Sequence, residues 1–126
     1  MTVVDLCCGA GGFSEGWRQA GYEIILGVDI WKPALFTFGH NQSCEVMQAD
    51  IRELDPEQLP DCDGIIGGPP CQEISIAKQI VSRTFDLRIV KAFLYIVKAK
   101  EPRFWVMENS PELAKHHIGN YQIILS

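Results

Sequence analysis

The chain has 126 residues, which suits one compact domain, and its hydrophobic content of 47% is enough for a packed core rather than a disordered tail. Its net charge of −5 argues against a general nucleic-acid binder, and no apolar run approaches the ~18 residues that a membrane-spanning helix needs. The first residues lack the basic stretch and long apolar core of a signal peptide, so we expect a cytoplasmic (prokaryotic) or otherwise intracellular protein with no membrane partner.

Apolar segments and helical patterns alternate along the chain. In chain order they predict a strand over 2–6, a helix over 13–20, a strand over 23–28, a helix over 33–38, and strands over 45–48 and 63–66. A helix over 87–100 and a strand over 103–107 follow, and residues 120–126 are too short a segment to classify. The alternation predicts an α/β fold with a mostly parallel sheet and helices on both faces, in which ligands bind at the carboxyl ends of the strands.

The loop after the first predicted strand is rich in glycine, with Gly9, Gly11 and Gly12 ahead of a helix. Such a loop lets the backbone approach a ligand, and the N-terminus of the helix favours negative groups, although a tight turn without a ligand has the same pattern. Asp29 ends the second strand, where an acid can bind both hydroxyls of a ribose, and Asp50, after the third strand, is placed to accept from an adenine amino group. Either acid alone is more often a surface residue, but together they predict a pocket for an adenosine-containing cofactor.

Two prolines stand directly before Cys71 at the end of the fourth predicted strand. They would hold the thiol in one fixed place beside the cofactor pocket, where a thiolate is a strong nucleophile, while a buried structural cysteine is the alternative. Glu108 ends the fifth strand at the same edge of the sheet. Apolar surroundings would raise its pKa enough for it to donate a proton, and a salt-bridged surface glutamate is the alternative.

The cysteine count and the charge distribution restrict the other possibilities. Five cysteines with no C-x-x-C spacing, two of them the adjacent pair Cys7 and Cys8, predict neither a disulfide framework nor a metal site. Residues 1–70 carry three basic and eleven acidic side chains, whereas residues 71–126 carry eight basic and five acidic ones. An anionic partner is therefore expected at the second half, with a solvated helix face as the plainer interpretation.

Together these segments resemble the DNA (cytosine-5) methyltransferases over nearly the whole chain. The glycine loop is similar to that family's first motif, and Asp29 and Asp50 match its second and third motifs. The sequence Gly68-Pro69-Pro70-Cys71-Gln72, with Ser75, looks like its nucleophile motif, and Glu108-Asn109 looks like its Glu-Asn motif. DNA methyltransferases that modify amino groups have an aromatic residue in place of this cysteine. The resemblance implies a Rossmann-like, S-adenosylmethionine-dependent methyltransferase fold.

The resemblance also implies the residues of the site, with Cys71 and Glu108 as the catalytic pair. S-adenosylmethionine, released as S-adenosylhomocysteine, would be bound by a set of residues from the loops that follow the strands: Asp5, Cys7, Gly9, Ala10, Gly11, Gly12, Phe13, Asp29, Ile30, Trp31, Asp50, Ile51 and Pro70. The DNA side of the site would be formed by Pro70, Gln72, Ser75, Lys78, Arg83, Arg88 and Asn109.

The implied reaction is methylation of carbon 5 of a cytosine that has been flipped out of DNA. Attack of the Cys71 thiolate on carbon 6 would make carbon 5 nucleophilic, and Glu108 would bind or protonate ring nitrogen 3. Carbon 5 would then take the methyl group, and loss of its proton with elimination of the thiol would release the product. Lys78 and Arg83 would meet phosphates of the DNA.

Several positions depart from the family pattern. Cys7 stands where an aromatic residue is usual, and Ile30 stands where some members have a stacking tryptophan, with Trp31 one position late. Ile74 replaces a usual phenylalanine, and Ser110 a usual valine. We expect these changes to weaken cofactor binding rather than to change the chemistry.

The family's later motifs and its target-recognition region do not appear in the sequence. Residues 1–126 are therefore predicted to be a single, partial catalytic domain that is truncated after the fifth strand, with little or no activity alone. An exposed sheet edge would favour a second polypeptide that supplies the missing motifs, or a second copy of the chain. Three hypotheses remain: one part of a split cytosine-5 methyltransferase, a non-catalytic remnant that binds S-adenosylmethionine or a partner protein, and a dinucleotide-dependent oxidoreductase. The last leaves Cys71 and Glu108 unexplained.

Overall fold

The computed structural model describes residues 1–70 and 87–109, which form a five-stranded parallel sheet in the order β3-β2-β1-β4-β5. The elements are β1 (Thr2–Leu6), α1 (Gly12–Gln19), β2 (Glu23–Asp29), α2 (Lys32–Gln42), β3 (Glu45–Gln48), a 3-10 helix (Pro56–Gln58), β4 (Gly64–Gly67), α3 (Arg88–Lys100) and β5 (Phe104–Met107). The predicted α/β class and parallel sheet are confirmed.

The side chains of β1 alternate between two hydrophobic cores, one on each face of the sheet. Val3 contributes to the core under α1 and α2, which also contains Phe38. Val4 contributes to the larger core under α3, together with Phe93 and Val97. Both faces of the sheet are therefore covered by helices, as the sequence predicted, and β1 is buried along almost its whole length.

The helices follow the predicted pattern, with one difference in length. The predicted apolar face of α3 is buried, and the helix ends where Glu101 adopts a left-handed conformation ahead of Pro102. Helix α2 extends to Gln42 instead of ending at Phe38, because its last turn is polar in sequence but buries the side chain of Gln42. Among the helices of residues 1–70 and 87–109, none is both long and apolar enough to cross a membrane.

The order of the strands sets the position of the site. The chain proceeds outward from β1 through β2 to β3, and then returns to the other side of β1 to form β4 and β5. Neighbouring loops therefore diverge at the carboxyl ends of β1 and β4, which is the place where open parallel sheets bind their ligands. Of the residues described, those of β5 pair with β4 alone, so that β5 is an edge strand of this sheet.

We expect Gly27→Ala to destabilise the protein, because a Cβ atom at Gly27 would lie 2.3 Å from Cε1 of the buried Phe38 ring. Overpacking of this kind costs about 1–3 kcal/mol in the free energy of unfolding, measurable by urea denaturation. The matched control is Gly16→Ala in α1, where an added Cβ meets nothing within 4 Å. A glycine inside a helix costs roughly 0.5–1 kcal/mol relative to alanine, so this control should be slightly stabilised. Equal effects of the two substitutions would contradict the packing described here.

Candidate active site

A cleft opens at the carboxyl ends of the strands, where the loops after β1, β2 and β3 meet. It encloses about 410 Å³, including the part open to solvent. Its walls are mostly apolar, with two carboxylates and one guanidinium, and the lining residues are Cys7, Asp29, Ile30, Ala49, Asp50, Ile51, Arg52, Pro70 and Ile89. An apolar cleft with a few polar groups is the usual form of a small-molecule site.

Asp29 holds the glycine loop against the end of β2. Its Oδ2 accepts a hydrogen bond of 2.9 Å from the backbone N–H of Gly9, and its Oδ1 accepts one of 2.8 Å from the N–H of Trp31. Each carboxylate oxygen can accept two hydrogen bonds, so both retain one acceptor position that a ligand can use. The carboxylate therefore fixes the loop and remains able to bind hydroxyl groups in the cleft.

The glycine loop turns sharply because of its backbone conformation at Gly11. This residue has a φ of +102°, which disfavours any side chain, and an added Cβ would lie 2.9 Å from Cδ2 of Phe38. The side chain of Gln42 donates a hydrogen bond of 3.4 Å to the carbonyl of Gly11. The last turn of α2 thus supports the loop from below, at the point where α1 begins.

Beneath the same loop, Asp5 is completely buried in the central strand. Ser14 donates a hydrogen bond of 2.5 Å to its Oδ2, which joins β1 to the first turn of α1. Burial raises the pKa of Asp5 to about 7, with the hydrogen bond from Ser14 opposing the shift and the charge of Asp29 adding to it. The carboxyl group is therefore close to half protonated near neutral pH.

Cys7 places its side chain in the cleft from a left-handed backbone conformation, with a φ of 58°. Burial, together with the nearby carboxylates of Asp29, Asp5 and Asp50, raises the pKa of its thiol to about 12. The thiol is neutral at physiological pH and lacks the reactivity of a thiolate. Its contribution to the cleft is therefore a small apolar surface.

Asp50 forms a close ion pair with Arg52 at the other wall of the cleft. The shortest contact, between Arg52 Nη2 and Asp50 Oδ2, is 2.6 Å. Hydrogen bonds from the Arg52 side chain keep the pKa of Asp50 below its usual range, so that this carboxylate is charged at neutral pH. The two acids that were predicted to contact a nucleoside thus have different local partners.

The turn after β5 is tied to the loop after β4. Asn109 Nδ2 donates a hydrogen bond of 2.6 Å to the carbonyl of Pro69, and the N–H of Glu108 donates one of 2.8 Å to the carbonyl of Gly67. A Cβ atom at Gly68 would lie only 3.2 Å from Glu108 Oε2, so the carboxylate lies close against this loop. The segment that leads to Pro70 and the Glu-Asn turn are therefore one connected unit.

Comparison of the chain with known proteins shows which family it belongs to. The family model for C-5 cytosine-specific DNA methylases matches residues 1–126, the whole chain. The chain belongs to the C-5 cytosine-specific DNA methylase family. It is 40% identical over 115 residues to the type II methyltransferase M.DdeI of Desulfomicrobium norvegicum, covering 86% of this chain and 28% of that protein. With M.HgiGI of Herpetosiphon aurantiacus it shares 36% identity over 113 residues, 86% of this chain and 90% of that one.

Solved structures of known proteins share this fold. A prophage-encoded protein of E. coli, described as a candidate DNA modification methyltransferase, is 32% identical with a TM-score of 0.72, over 88% of this chain and 32% of that one. The S. pombe Dnmt2 methyltransferase, 20% identical, shares the fold with a TM-score of 0.72 over 92% of this chain and 36% of its own. Against M.DdeI and the Methanothermobacter thermautotrophicus methyltransferase M.MthTI, the chain spans 28% and 39% of the relative's length.

Within this methylase domain, some predicted cofactor residues meet in the cleft and others lie elsewhere. The lining includes Cys7, Asp29, Ile30, Asp50, Ile51 and Pro70, and not Asp5, Gly9, Ala10, Gly11, Gly12, Phe13 or Trp31. Phe13 instead makes an edge-on ring contact with Trp17, and Trp31 is 64% exposed. Sequence reasoning missed Ala49, Arg52 and Ile89, although the first two flank the predicted Asp50-Ile51 pair.

On the predicted DNA side, the structure describes only part of the proposed residues. Asn109 lies against Pro69, and Arg88 is exposed at the start of α3. The predicted nucleophile and several predicted contacts lie outside the described residues: Cys71, Gln72, Ser75, Lys78 and Arg83. Within residues 1–70 and 87–109, no group of three or more histidine, cysteine, aspartate or glutamate side chains is arranged to hold a metal ion.

The raised pKa of Asp5 predicts an unusual dependence of stability on pH. Between about pH 4 and 7 the folded chain holds a proton on Asp5 that the unfolded chain has released, so the contribution of Asp5 to stability is full below about pH 4 and is lost as the pH rises to about 7. Asp5→Asn resembles the protonated form and should lack this decline. We expect urea denaturation between pH 4.5 and 7.5 to show a flatter profile for Asp5→Asn than for the wild type, while Asp61→Asn, at an exposed acid, keeps the wild-type slope. Parallel profiles for the wild type and Asp5→Asn would refute the buried, protonated carboxyl.

Proposed function

We propose that the chain is the cofactor-binding, nucleophile-bearing part of a DNA (cytosine-5) methyltransferase, residues 1–126 being one partial catalytic domain. One observation carries the proposal. The Glu-Asn turn is hydrogen-bonded to the loop that leads to Pro70, and Pro70 also lines the cleft that Asp29 and Asp50 border. A methyl donor, a nucleophile and a proton donor would thus meet at a single edge of the sheet.

The residues of the cleft fit an S-adenosyl cofactor. Asp29 retains one acceptor position on each oxygen, the number that the two hydroxyls of a ribose require. Ile51 and Cys7 provide apolar walls for a purine, and the glycine loop leaves the backbone accessible at Gly9, where an added Cβ would meet nothing within 4 Å. When bound, the cofactor supplies an electrophilic methyl group on a positively charged sulfur.

The chain's own residues would prepare the cytosine for this methyl group. Cys71, the residue after Pro70, would form a bond from its thiolate sulfur to carbon 6, with the π pair of the 5,6 double bond moving toward carbon 4 and the next pair to nitrogen 3. The proton of Glu108 would go to nitrogen 3 and neutralise that charge. After methylation, the carbon 5 proton passes to solvent and its electron pair restores the 5,6 double bond as the sulfur leaves with the pair of its bond to carbon 6. Nitrogen 3 returns its proton to Glu108, which restores both groups.

Asn109 would act in this reaction by positioning the loop rather than by reading the base. Its side-chain amide donates to the carbonyl of Pro69, two residues before Cys71. Because that carbonyl belongs to the backbone, the hydrogen bond restrains the path of the loop and not the rotamer of one side chain. Asn109 would in this way limit the range of positions from which the thiolate starts.

The substrate would be a flipped cytosine in DNA, with Lys78, Arg83 and Arg88 as the phosphate contacts. Because the chain spans 28% of the length of M.DdeI and 39% of that of M.MthTI, we propose that full activity needs further polypeptide. That polypeptide would be a further part of the same protein or a second chain. The edge of β5 is one place where it would extend the sheet.

We expect Asp29→Asn to weaken binding of S-adenosylhomocysteine by about 10- to 100-fold, because a charged acceptor of two hydroxyl hydrogen bonds is lost. Isothermal titration calorimetry measures the affinity, and thermal unfolding shows whether the variant keeps its fold without ligand. The matched control is Asp61→Asn, at an exposed acid outside the cleft, which should bind as tightly as the wild type. Equal affinity of the two variants would exclude Asp29 from the cofactor site.

The covalent step is tested with DNA that contains 5-fluorocytosine, since fluorine at carbon 5 blocks the last elimination and traps the adduct. In the presence of S-adenosylmethionine and a candidate partner carrying the later motifs, we expect a denaturant-resistant complex that Cys71→Ala abolishes. Glu108→Gln should slow its formation by roughly 10²- to 10⁴-fold, the range for loss of a general acid. Cys44→Ser, at a half-buried cysteine outside the cleft, serves as the control and should form the complex normally.

The outcomes separate the remaining hypotheses. Cofactor binding without any adduct, even with the partner, would indicate a non-catalytic remnant. An adduct that persists in Cys71→Ala would overturn the assignment of the nucleophile.

A further inference from the structure

The carboxylate of Asp50 accepts hydrogen bonds from three N–H groups of a single neighbour, Arg52. Its Oδ1 accepts from the backbone N–H and from Nε of Arg52, both at 3.0 Å, and its Oδ2 accepts from Nε at 3.0 Å and from Nη2 at 2.6 Å. A carboxylate offers about four acceptor positions in total. The single hydrogen on Nε is shared between the two oxygens, so three N–H hydrogens of Arg52 take up most of the acceptor capacity of Asp50.

Asp29, on the opposite wall of the same cleft, differs in this respect. Each of its oxygens accepts one hydrogen bond from a backbone N–H, so each keeps one acceptor position. Both acids border the cleft, and Arg52 is itself one of the lining residues. The guanidinium of Arg52 consequently occupies the acceptor atoms that a purine amino group would need.

We propose that Arg52 is a latch that competes with the cofactor's adenine amino group for the carboxylate of Asp50, and so sets the affinity of the cleft and its selectivity for a 6-aminopurine. This inference rests on the proposed function, because it requires an adenosyl cofactor in the cleft. Rotation of the Arg52 side chain away from the cleft frees Oδ2 completely and leaves only the backbone N–H on Oδ1.

Release of the ion pair between Arg52 and Asp50 itself costs little. The side chain of Arg52 is 38% exposed and that of Asp50 is 18% exposed, so water can replace the contacts that are lost. Ion pairs with this exposure contribute little net stability. Arg52 therefore reduces the affinity without closing the cleft. Because the carboxylate stays charged at neutral pH, the competition operates throughout the physiological range.

The test compares two ligands and three variants of the whole chain by isothermal titration calorimetry. The ligands are S-adenosylhomocysteine and its analogue with hydrogen in place of the 6-amino group. Arg52→Met should bind S-adenosylhomocysteine about two- to fivefold more tightly than the wild type, the range for release of an exposed ion pair, and should bind the analogue as the wild type does. Arg52→Lys keeps the charge but loses the planar fork, so its gain should be smaller.

The matched control is Arg103→Met. It removes the arginine of a second arginine–aspartate pair, in which Arg103 lies 3.7 Å from Asp63, and neither residue lines the cleft. It should leave both affinities unchanged. If Arg52→Met bound both ligands more tightly by the same factor, or bound them more weakly, the role of Arg52 as a competitor would be contradicted and the proposed function would stand. If the wild type binds neither ligand, the proposed function fails first and the latch with it.

Discussion

The hydrogen bond between the Gly9 amide and the Asp29 carboxylate is the contact on which the rest of the site depends. It joins the loop after β1 to the end of β2, beside a backbone hydrogen bond of 3.0 Å from the N–H of Cys8 to the carbonyl of Val28. The loop that it fixes places Cys7 in the cleft and leads into α1. A charged acceptor makes such a bond stronger than a neutral one, and here the same carboxylate still has capacity for a ligand.

The loop is supported from below by groups that allow little movement. Phe38 fills the space that side chains at Gly11 and Gly27 would occupy, so that one ring contacts both the glycine loop and β2. Asp5 adds a buried hydrogen bond to Ser14 at the start of α1. Burying a charged carboxyl group there is unfavourable, and this cost is offset by the raised pKa of about 7 and by the hydrogen bond that Ser14 donates to Oδ2. The residues beneath the glycine loop thus hold it by close packing and by one polar contact.

The sequence predicted the fold well because the spacing of apolar residues that distinguishes helices from strands can be read within one short segment. The bounds of β1 and β3 agree with their apolar patterns, and the buried face of α3 follows from its spacing. The last turn of α2 was missed because Gln42 is polar in sequence and is buried through tertiary contacts with Gly11 and Glu15. The assignments of Cys71 as nucleophile and of Glu108 as acid rest on motifs and stay predictions. Contacts between distant residues, such as Asn109 with Pro69, depend on the tertiary structure and leave no local pattern.

The two acids of the cleft show why equal residue types at equivalent strand ends can have different roles. Asp29 is held by backbone N–H groups, which cannot leave unless the glycine loop moves, so its orientation is a fixed property of the fold. Asp50 is held mainly by a side chain, which can rotate away while the backbone stays in place. A substitution near Asp29 would therefore alter the loop and the cleft together. A substitution at Arg52 would release the carboxylate of Asp50 without moving the glycine loop, so affinity for a ligand can change there while that loop keeps its conformation.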